Sequence, residues 1–357
     1  MKNKDLKKLL IDKFSDLKTV LQKIEEGAEK IIFVTEQGKK LFGVCTDGDI
    51  RRWILATRKL EGKINEFCNK NPLFVSRDYN IEEVKRIMLE KKIEAIPVIN
   101  DKKEIIDVLI WDNVFIGKNS KEIKKLDIPV VIMAGGKGSR LDPFTRILPK
   151  PLIPIGNKPI IEIIIDKFLE YGIKDFYISI NHKSRMIKAY FEELDIKYRI
   201  NFIEETTPLG TAGSLKLLAG KIEGSFFVSN CDILIESDYS EIFRYHLENE
   251  NDITLVASIK HYNIPYGICE IEDDGTLLRI QEKPKYNFLV NTGMYLLKSK
   301  VLYFIPDKKS FHITNLIAKV KNHGGKIGVF PISDKSWINI GEWEEFQKAI
   351  KLMKIKS

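Results

Sequence analysis

The sequence predicts an α/β protein in two parts: a small module built from a duplicated unit, then a larger domain around a mainly parallel sheet. Three observations carry that prediction. Residues 16–50 slide by 64 positions onto 80–114 without a gap. Beyond residue 127, short apolar runs of strand length alternate with helical segments, the order that builds parallel sheets with crossover helices. The first of those runs, Ile128–Ala134, opens at once into Gly135-Gly136-Lys137-Gly138, and glycines there let backbone N–H groups close on an anion.

A length of 357 residues exceeds one ordinary domain, and 44% hydrophobic with 30% charged residues excludes disordered, collagenous and coiled-coil chains. The longest apolar runs, Ile128–Ala134 and Ile160–Ile165, fall far short of the roughly 20 residues that span a bilayer. The opening MKNKDLKK leads into no signal-like apolar stretch, so a cytoplasmic protein with no membrane partner is expected. Cys45, Cys68, Cys231 and Cys269 lie far apart, which suggests neither a zinc site nor a disulfide framework. The net charge of +8 invites a nucleic-acid reading, but its distribution argues against one. Residues 1–126 hold 27 Lys and Arg against 21 Asp and Glu, leaving 31 against 29 for the rest. The early lysines are interspersed with acids and lack an aromatic-basic pattern, so nucleic acid is not expected and a small anionic nucleotide suits them better.

Within the repeat, Leu17, Val20 and Ile24 fall on Ile81, Val84 and Met88 at helical spacing, and Ile32, Val34, Leu41 and Val44 fall on Ile96, Val98, Ile105 and Val108. Turns Glu36–Lys39 and Asn100–Lys103 separate the strands, so each copy reads helix, strand, turn, strand, helix start. This resembles a tandem pair of CBS motifs, a Bateman module, over residues 1–120. The stretch Gly43-Val-Cys-Thr46-Asp-Gly-Asp49-Ile50 carries the resemblance. The family's Thr-x-x-Asp contacts a regulatory nucleotide, implying Thr46 for phosphate and Asp49 for the ribose hydroxyls. The second copy has Ile110 and Asn113 at those places, so at most one cleft is equipped. A folded spacer or dimerisation module without a ligand is the alternative.

After the polar stretch Gly117–Asp127 the larger domain begins, over 127–357. Its glycine cluster is not a Walker A loop, because Val131 stands where the first glycine belongs and Gly138 follows Gly136-Lys137. Nor is it the dinucleotide fingerprint, whose third glycine position holds Leu141. The continuation Gly138-Ser139-Arg140-Leu-Asp-Pro-Phe-Thr145, then Pro149-Lys150-Pro-Leu-Ile-Pro154, is more specific. Later blocks recur in order: Pro208-Leu-Gly210-Thr211-Ala-Gly213, Asn230-Cys-Asp232, Pro265-Tyr266-Gly267, Glu282-Lys283-Pro284, Asn291-Thr292-Gly293 and Trp337-Ile-Asn339-Ile-Gly341. Together they resemble the sugar-1-phosphate nucleotidyltransferases, which implies a Rossmann-like, GT-A-like sheet domain joining a nucleoside triphosphate to a sugar 1-phosphate with release of pyrophosphate.

An attacking phosphate is already ionised at neutral pH, its second pKa being about 6. The chemistry therefore asks for positioning and charge neutralisation, not a general base. That fits five unpaired histidines, 182, 246, 261, 312 and 323, expected to be structural. The resemblance implies that Arg140 holds the β- and γ-phosphates and Lys150 the α-phosphate, with Gly135, Gly136, Gly138 and Ser139 cradling the nucleotide. Asp232 matches the first ligand of the family's Mg²⁺. The second is normally an aspartate, and Asn339 stands in its place; Cys231 replaces the usual preceding glycine. Asn339 leaves open a domain that binds nucleotide without turnover. On the sugar side the matching residues are Tyr266, Gly267, Glu282, Lys283, Asn291 and Thr292.

The segment Glu204–Thr211, with Glu205, Pro208, Gly210 and Thr211, resembles the guanylyltransferase branch. A carboxylate such as Glu205 can accept from the adjacent N–H donors of guanine, which predicts GTP. A CBS pair ahead of a short transferase is similar to the guanylyltransferases of legionaminic-acid biosynthesis, which make GDP-glucosamine from glucosamine 1-phosphate for surface or flagellar glycans and imply a homo-oligomer. Mannose and heptose 1-phosphates remain alternatives. The closing stretch Glu342–Ser357 reads as an amphipathic helix with Trp343, Phe346 and Ile350 on one face.

Overall fold

The computed structural model describes residues 3–26, 31–59, 61–91, 93–115, 125–341, 343 and 345–347. The chain divides into two units, Met1–Lys118 and Asn119–Ser357. No helix among the described residues is long and apolar enough to cross a membrane.

The first unit runs α1 (Asn3–Leu9), β1 (Leu10–Asp12), α2 (Leu17–Glu26), β2 (Ile31–Glu36), β3 (Lys40–Thr46), α3 (Asp47–Thr57) and α4 (Ile64–Phe67). It then repeats as β4 (Val75–Ser76), α5 (Ile81–Lys91), β5 (Ala95–Ile99), β6 (Ile105–Ile110) and α6 (Trp111–Phe115). Each copy forms a three-stranded sheet in which the short leading strand pairs parallel and the hairpin antiparallel. The two hairpin turns hold each other, with Leu41 N–H donating to Lys103 O and Ile105 N–H to Lys39 O, both at 2.9 Å. Leu17, Val20 and Ile24 are buried as their spacing predicts, and so are Val84 and Met88. Ile81, the first residue of α5, is exposed and does not join that face.

The second unit is built on a seven-stranded sheet. Its strands are β7 (Val130–Met133), β10 (Asp175–Ile180), β11 (Arg199–Glu204), β12 (Ser225–Asn230), β14 (Ile253–Asn263), β17 (Lys285–Lys298) and β18 (Ile327–Ile332), in the order β11-β10-β7-β12-β17-β14-β18. All are parallel except β17. The Ile128–Ala134 run yields the four-residue strand β7, whose Val130, Val131 and Ile132 are buried toward both faces, which is why its sequence does not alternate. Val130 and Ile132 face a core with α8 (Ile160–Leu169), α9 (Ser184–Glu192) and α11 (Tyr239–Glu248). Val131 faces a second core containing α10 (Gly210–Gly213), the turn Ser214–Leu218 and α12 (Ile313–Asn322).

Smaller pieces cluster at the carboxyl edge of the parallel strands. They are the turn α7 (Phe144–Ile147), the pair β8 (Pro154–Ile155) and β9 (Lys158–Pro159), and β13 (Ile233–Ile235) paired with β19 (Trp337–Asn339). β14 and β17 run on past the end of β12 as a two-stranded arm, beside which lies the hairpin of β15 (Ile268–Ile271) and β16 (Leu277–Gln281). Trp343 and Phe346 pack their rings on Phe144, and Ile350 lies outside the described residues.

Candidate active site

Open parallel sheets leave a crevice beyond the carboxyl ends of their strands. β7 delivers the glycine turn there. Gly138 has φ 70° and ψ 26°, the left-handed region that glycine enters without penalty. A Cβ at Gly138 would lie 2.8 Å from Cβ of Lys150 and 2.9 Å from Cγ2 of Thr145, so close approach requires glycine as well. Gly135 packs against Glu205, whose Oε1 would be 2.9 Å from a Cβ. Gly136 faces open space, and Ser139 and Arg140 follow in an exposed 3₁₀ turn.

Beside this turn Lys150 and Asp232 form a half-buried ion pair, the ammonium donating to Oδ2. Asp232 follows the tip of β12, and the β13–β19 pairing sets Asn339 opposite the next residue, Ile233. Ile340 N–H donates to Asp232 O at 2.7 Å, and Asn339 Oδ1 accepts from Gly341 N–H at 3.1 Å. A Cβ at Gly341 would strike Asp232 Oδ2 and lie 3.0 Å from Lys150 Nζ and 3.1 Å from Asn339 Oδ1. Lys150, Asp232 and Asn339, separated by up to 189 positions, therefore converge around one bare glycine. Burial, with the Asp232 charge beside it, pushes the Cys231 thiol up to about 12, so it stays neutral packing.

No group of three or more His, Cys, Asp or Glu that could hold a metal occurs among the described residues. One carboxylate and one amide oxygen make a partial donor set, which suits Mg²⁺ when substrate phosphates and water complete the shell.

On the other flank of the glycine turn both Glu205 oxygens already accept hydrogen bonds, Oε1 from Ser179 Oγ and Oε2 from Leu209 N–H at 3.0 Å. Asn181 Nδ2 donates to Glu205 O at 2.6 Å. Glu205 thus pins its own loop, and each oxygen keeps one lone pair for another donor. Pro208 is exposed. Gly210, at φ 78°, fits under Phe311 O, and Thr211 Oγ1 accepts from Ile313 N–H at 2.9 Å, capping the start of α12. Thr211 therefore has a framework role, with its hydroxyl proton left to donate.

Tyr266-Gly267 and Glu282-Lys283 are brought together, since Lys283 N–H donates to Tyr266 O at 3.2 Å and a Cβ at Gly267 would lie 3.0 Å from Glu282 Oε2. All four are exposed. Asn291 Nδ2 donates to the Tyr295 hydroxyl at 2.6 Å. Thr292 is buried, donating to Val256 O at 2.8 Å and accepting from Met294 N–H at 3.3 Å. Its hydroxyl locks the bulge between Leu255 and Ala257 on the neighbouring strand.

In the first unit Thr46 and Asp49 are adjacent, but as a helix cap. Asp49 Oδ2 accepts from Thr46 N–H at 2.8 Å and Thr46 Oγ1 at 2.6 Å, and Oδ1 pairs with Arg52. A Thr-x-x-acid spacing at a helix start is itself a capping signature, so the same four residues serve local folding.

Sequence reasoning missed Lys183. Its ammonium donates to the carbonyls of Thr145, Arg146 and Ile147, a contact across 36 to 38 residues that no motif announces.

A mainly parallel sheet thus carries a glycine turn and a convergent lysine, carboxylate and amide at one edge, the place where open α/β sheets bind their ligands. The nucleotidyl transferase family model matches residues 129–355, and the CBS domain model matches residues 64–114, the second repeat. The chain belongs to the nucleotidyl transferase family, with a CBS domain ahead of the transferase domain. It is similar to probable mannose-1-phosphate guanylyltransferase 1 of Oryza sativa subsp. japonica, 30% identical over 231 residues, 62% of this chain and 63% of that one. A mannose-1-phosphate guanyltransferase of Yarrowia lipolytica is 35% identical over 185 residues, 49% of this chain and 50% of that one. The chain thus spans less than two thirds of the length of these curated relatives. Among solved structures, HddC from Yersinia pseudotuberculosis matches 63% of this chain and 99% of its own at TM-score 0.51 and 26% identity, and its complex with GMP-PN matches at 0.50.

Proposed function

We propose that the second unit transfers a guanylyl group from GTP to a sugar 1-phosphate, releasing pyrophosphate. The observation that carries this reading is the convergence of Lys150, Asp232 and Asn339 around Gly341 beside the glycine turn. The sugar phosphate attacks the α-phosphorus in line with departing pyrophosphate and needs no base. Lys150 moves from Asp232 to the α-phosphate as nucleotide arrives, and Arg140 neutralises the leaving pyrophosphate. Asp232 and Asn339 would hold Mg²⁺, which would supply further neutralisation of phosphate charge. Glu205 accepts from guanine with the lone pairs its framework bonds leave over. Names of the relatives support guanylyl transfer, and so does a solved neighbour bound to a guanine nucleotide analogue.

For the sugar we propose glucosamine 1-phosphate, from the domain order, in a cytoplasmic route to surface glycans. Mannose 1-phosphate is the second reading, favoured by the relatives' names. Nucleotide at the CBS pair, through Thr46 and Asp49, regulates turnover in this reading once Arg52 yields. The test is pyrophosphate release across four nucleoside triphosphates and glucosamine, N-acetylglucosamine, mannose and heptose 1-phosphates. Silence across that panel with GTP still bound by calorimetry would overturn the enzyme reading in favour of a nucleotide-binding regulator. Unchanged rates with AMP, ATP or GTP effectors would remove the regulatory one.

A further inference from the structure

Lys183 lies in the turn between β10 and α9 with its backbone at φ 54°, a left-handed conformation that a lysine adopts at a cost. Its half-buried side chain crosses to α7 and donates to Thr145 O at 3.0 Å, Arg146 O at 2.7 Å and Ile147 O at 2.9 Å. An ammonium has three N–H bonds, and these three contacts use all of them. The acceptors are the last carbonyls of a one-turn helix, which have no helical partner and carry the negative end of its dipole.

α7 is the connector between the Arg140 turn and Lys150. Leu148 N–H closes it onto Phe144 O at 3.0 Å, and Pro149-Lys150 follow. The ion pair that Arg146 makes with Asp142, just ahead of α7, is largely exposed and contributes little. Lys183 ties this connector to the end of β10, a strand of the buried sheet.

We propose that Lys183 is a positioning residue for nucleotidyl transfer: by clamping the three carbonyls that end α7, it fixes the path of Lys150 toward the transferring phosphate. This rests on the guanylyl-transfer reading above. Lys183 itself touches no reacting atom. Small displacements of a group that must meet a phosphate in flight lower the rate without weakening ground-state binding in proportion.

The test compares Lys183→Met, Lys183→Gln and Lys183→Arg in the full chain. With Met or Gln, kcat falls by about 10- to 100-fold while KM for GTP stays within about threefold, and Arg restores most of the loss because it keeps the donors. A second arm is independent of turnover: acetylation of Lys150 by an amine-reactive N-hydroxysuccinimide ester, followed by mass spectrometry, speeds up in the Met and Gln variants, while Lys298 reacts as in wild type. Met and Gln variants with an intact circular-dichroism signal that keep wild-type kcat, or that lose kcat and GTP binding in equal measure, while Lys150 acetylation is unchanged, overturn the role. If wild type shows no turnover, the guanylyl-transfer reading fails, and the acetylation arm still decides whether Lys183 sets the position of Lys150.

Discussion

Alanine at Gly138 should cost both stability and turnover, whereas alanine at Gly136 two residues earlier should spare stability. The new methyl at 138 faces two penalties. Left-handed backbone costs a non-glycine residue about 1–2 kcal/mol. The Cβ also arrives 2.8 Å from Cβ of Lys150 and 2.9 Å from Cγ2 of buried Thr145, well inside ordinary contact. Lys150 Cβ is fixed to its backbone between two prolines, so relief requires the chain to shift, and overpacking of this kind costs about 1–3 kcal/mol. The expected loss is therefore about 2–5 kcal/mol for the second unit. The shift separates Lys150 from Asp232, which predicts a fall in kcat of about 100-fold, the scale of an ångström's misplacement. Urea unfolding and pyrophosphate release measure the two effects. Gly136 has no positive φ and nothing within 4 Å, so Gly136→Ala should unfold within about 0.5 kcal/mol of wild type. Equal midpoints for the two variants would refute the packing argument.

Three further outcomes are expected. His246, buried between Ser225 and Thr254, is pushed down to about 4 by burial with help from the Lys298 charge. Its folded pKa lies below the unfolded value, so the unfolded chain takes up the proton first as pH falls from about 6.5 toward 4. The protein should be about 2 kcal/mol less stable at pH 5 than at pH 7.5 from this group alone, and His246→Gln should flatten that slope in urea titrations. Asn339→Asp adds a carboxylate beside Asp232 and should lower the Mg²⁺ concentration for half-maximal turnover by about tenfold; an unchanged Mg²⁺ titration would exclude Asn339 from the metal shell. Thr46→Ala removes half of the cap on α3 and should cost the first unit about 1 kcal/mol in denaturant unfolding, whatever nucleotide is present.

Much of the architecture was legible because it is written in local periodicity. An offset of 64 residues maps α2, β2, β3 and α3 onto α5, β5, β6 and α6, and the unbroken apolar run at 128–134 signals a strand buried on both faces. The motif residues at Lys150, Asp232, Asn339 and Gly341 also met as their blocks suggested. Less legible were roles set by hydrogen bonds between distant segments. Thr211 caps a helix that begins 102 positions later, Thr292 locks a bulge on a neighbouring strand, and Lys183 serves carbonyls on another turn. A hydroxyl or ammonium has the same letter whether it faces a ligand or its own backbone. β1 and β4, at three and two residues, are too short to announce themselves and exist because a neighbouring strand offers an edge.

The arm formed by β14 and β17 separates two kinds of constraint. Lys150 and Asp232 are half-buried, and any side chain added at Gly341 meets both at once. Tyr266, Glu282 and Lys283 project from a ribbon whose hairpin leaves Ile271, Leu277, Leu278 and Ile280 more than half exposed. Substitutions there meet few neighbours and seldom threaten folding. Variation can therefore accumulate along the ribbon while the end around Gly341 stays fixed, and the same twenty or so positions are a natural starting library for directed evolution.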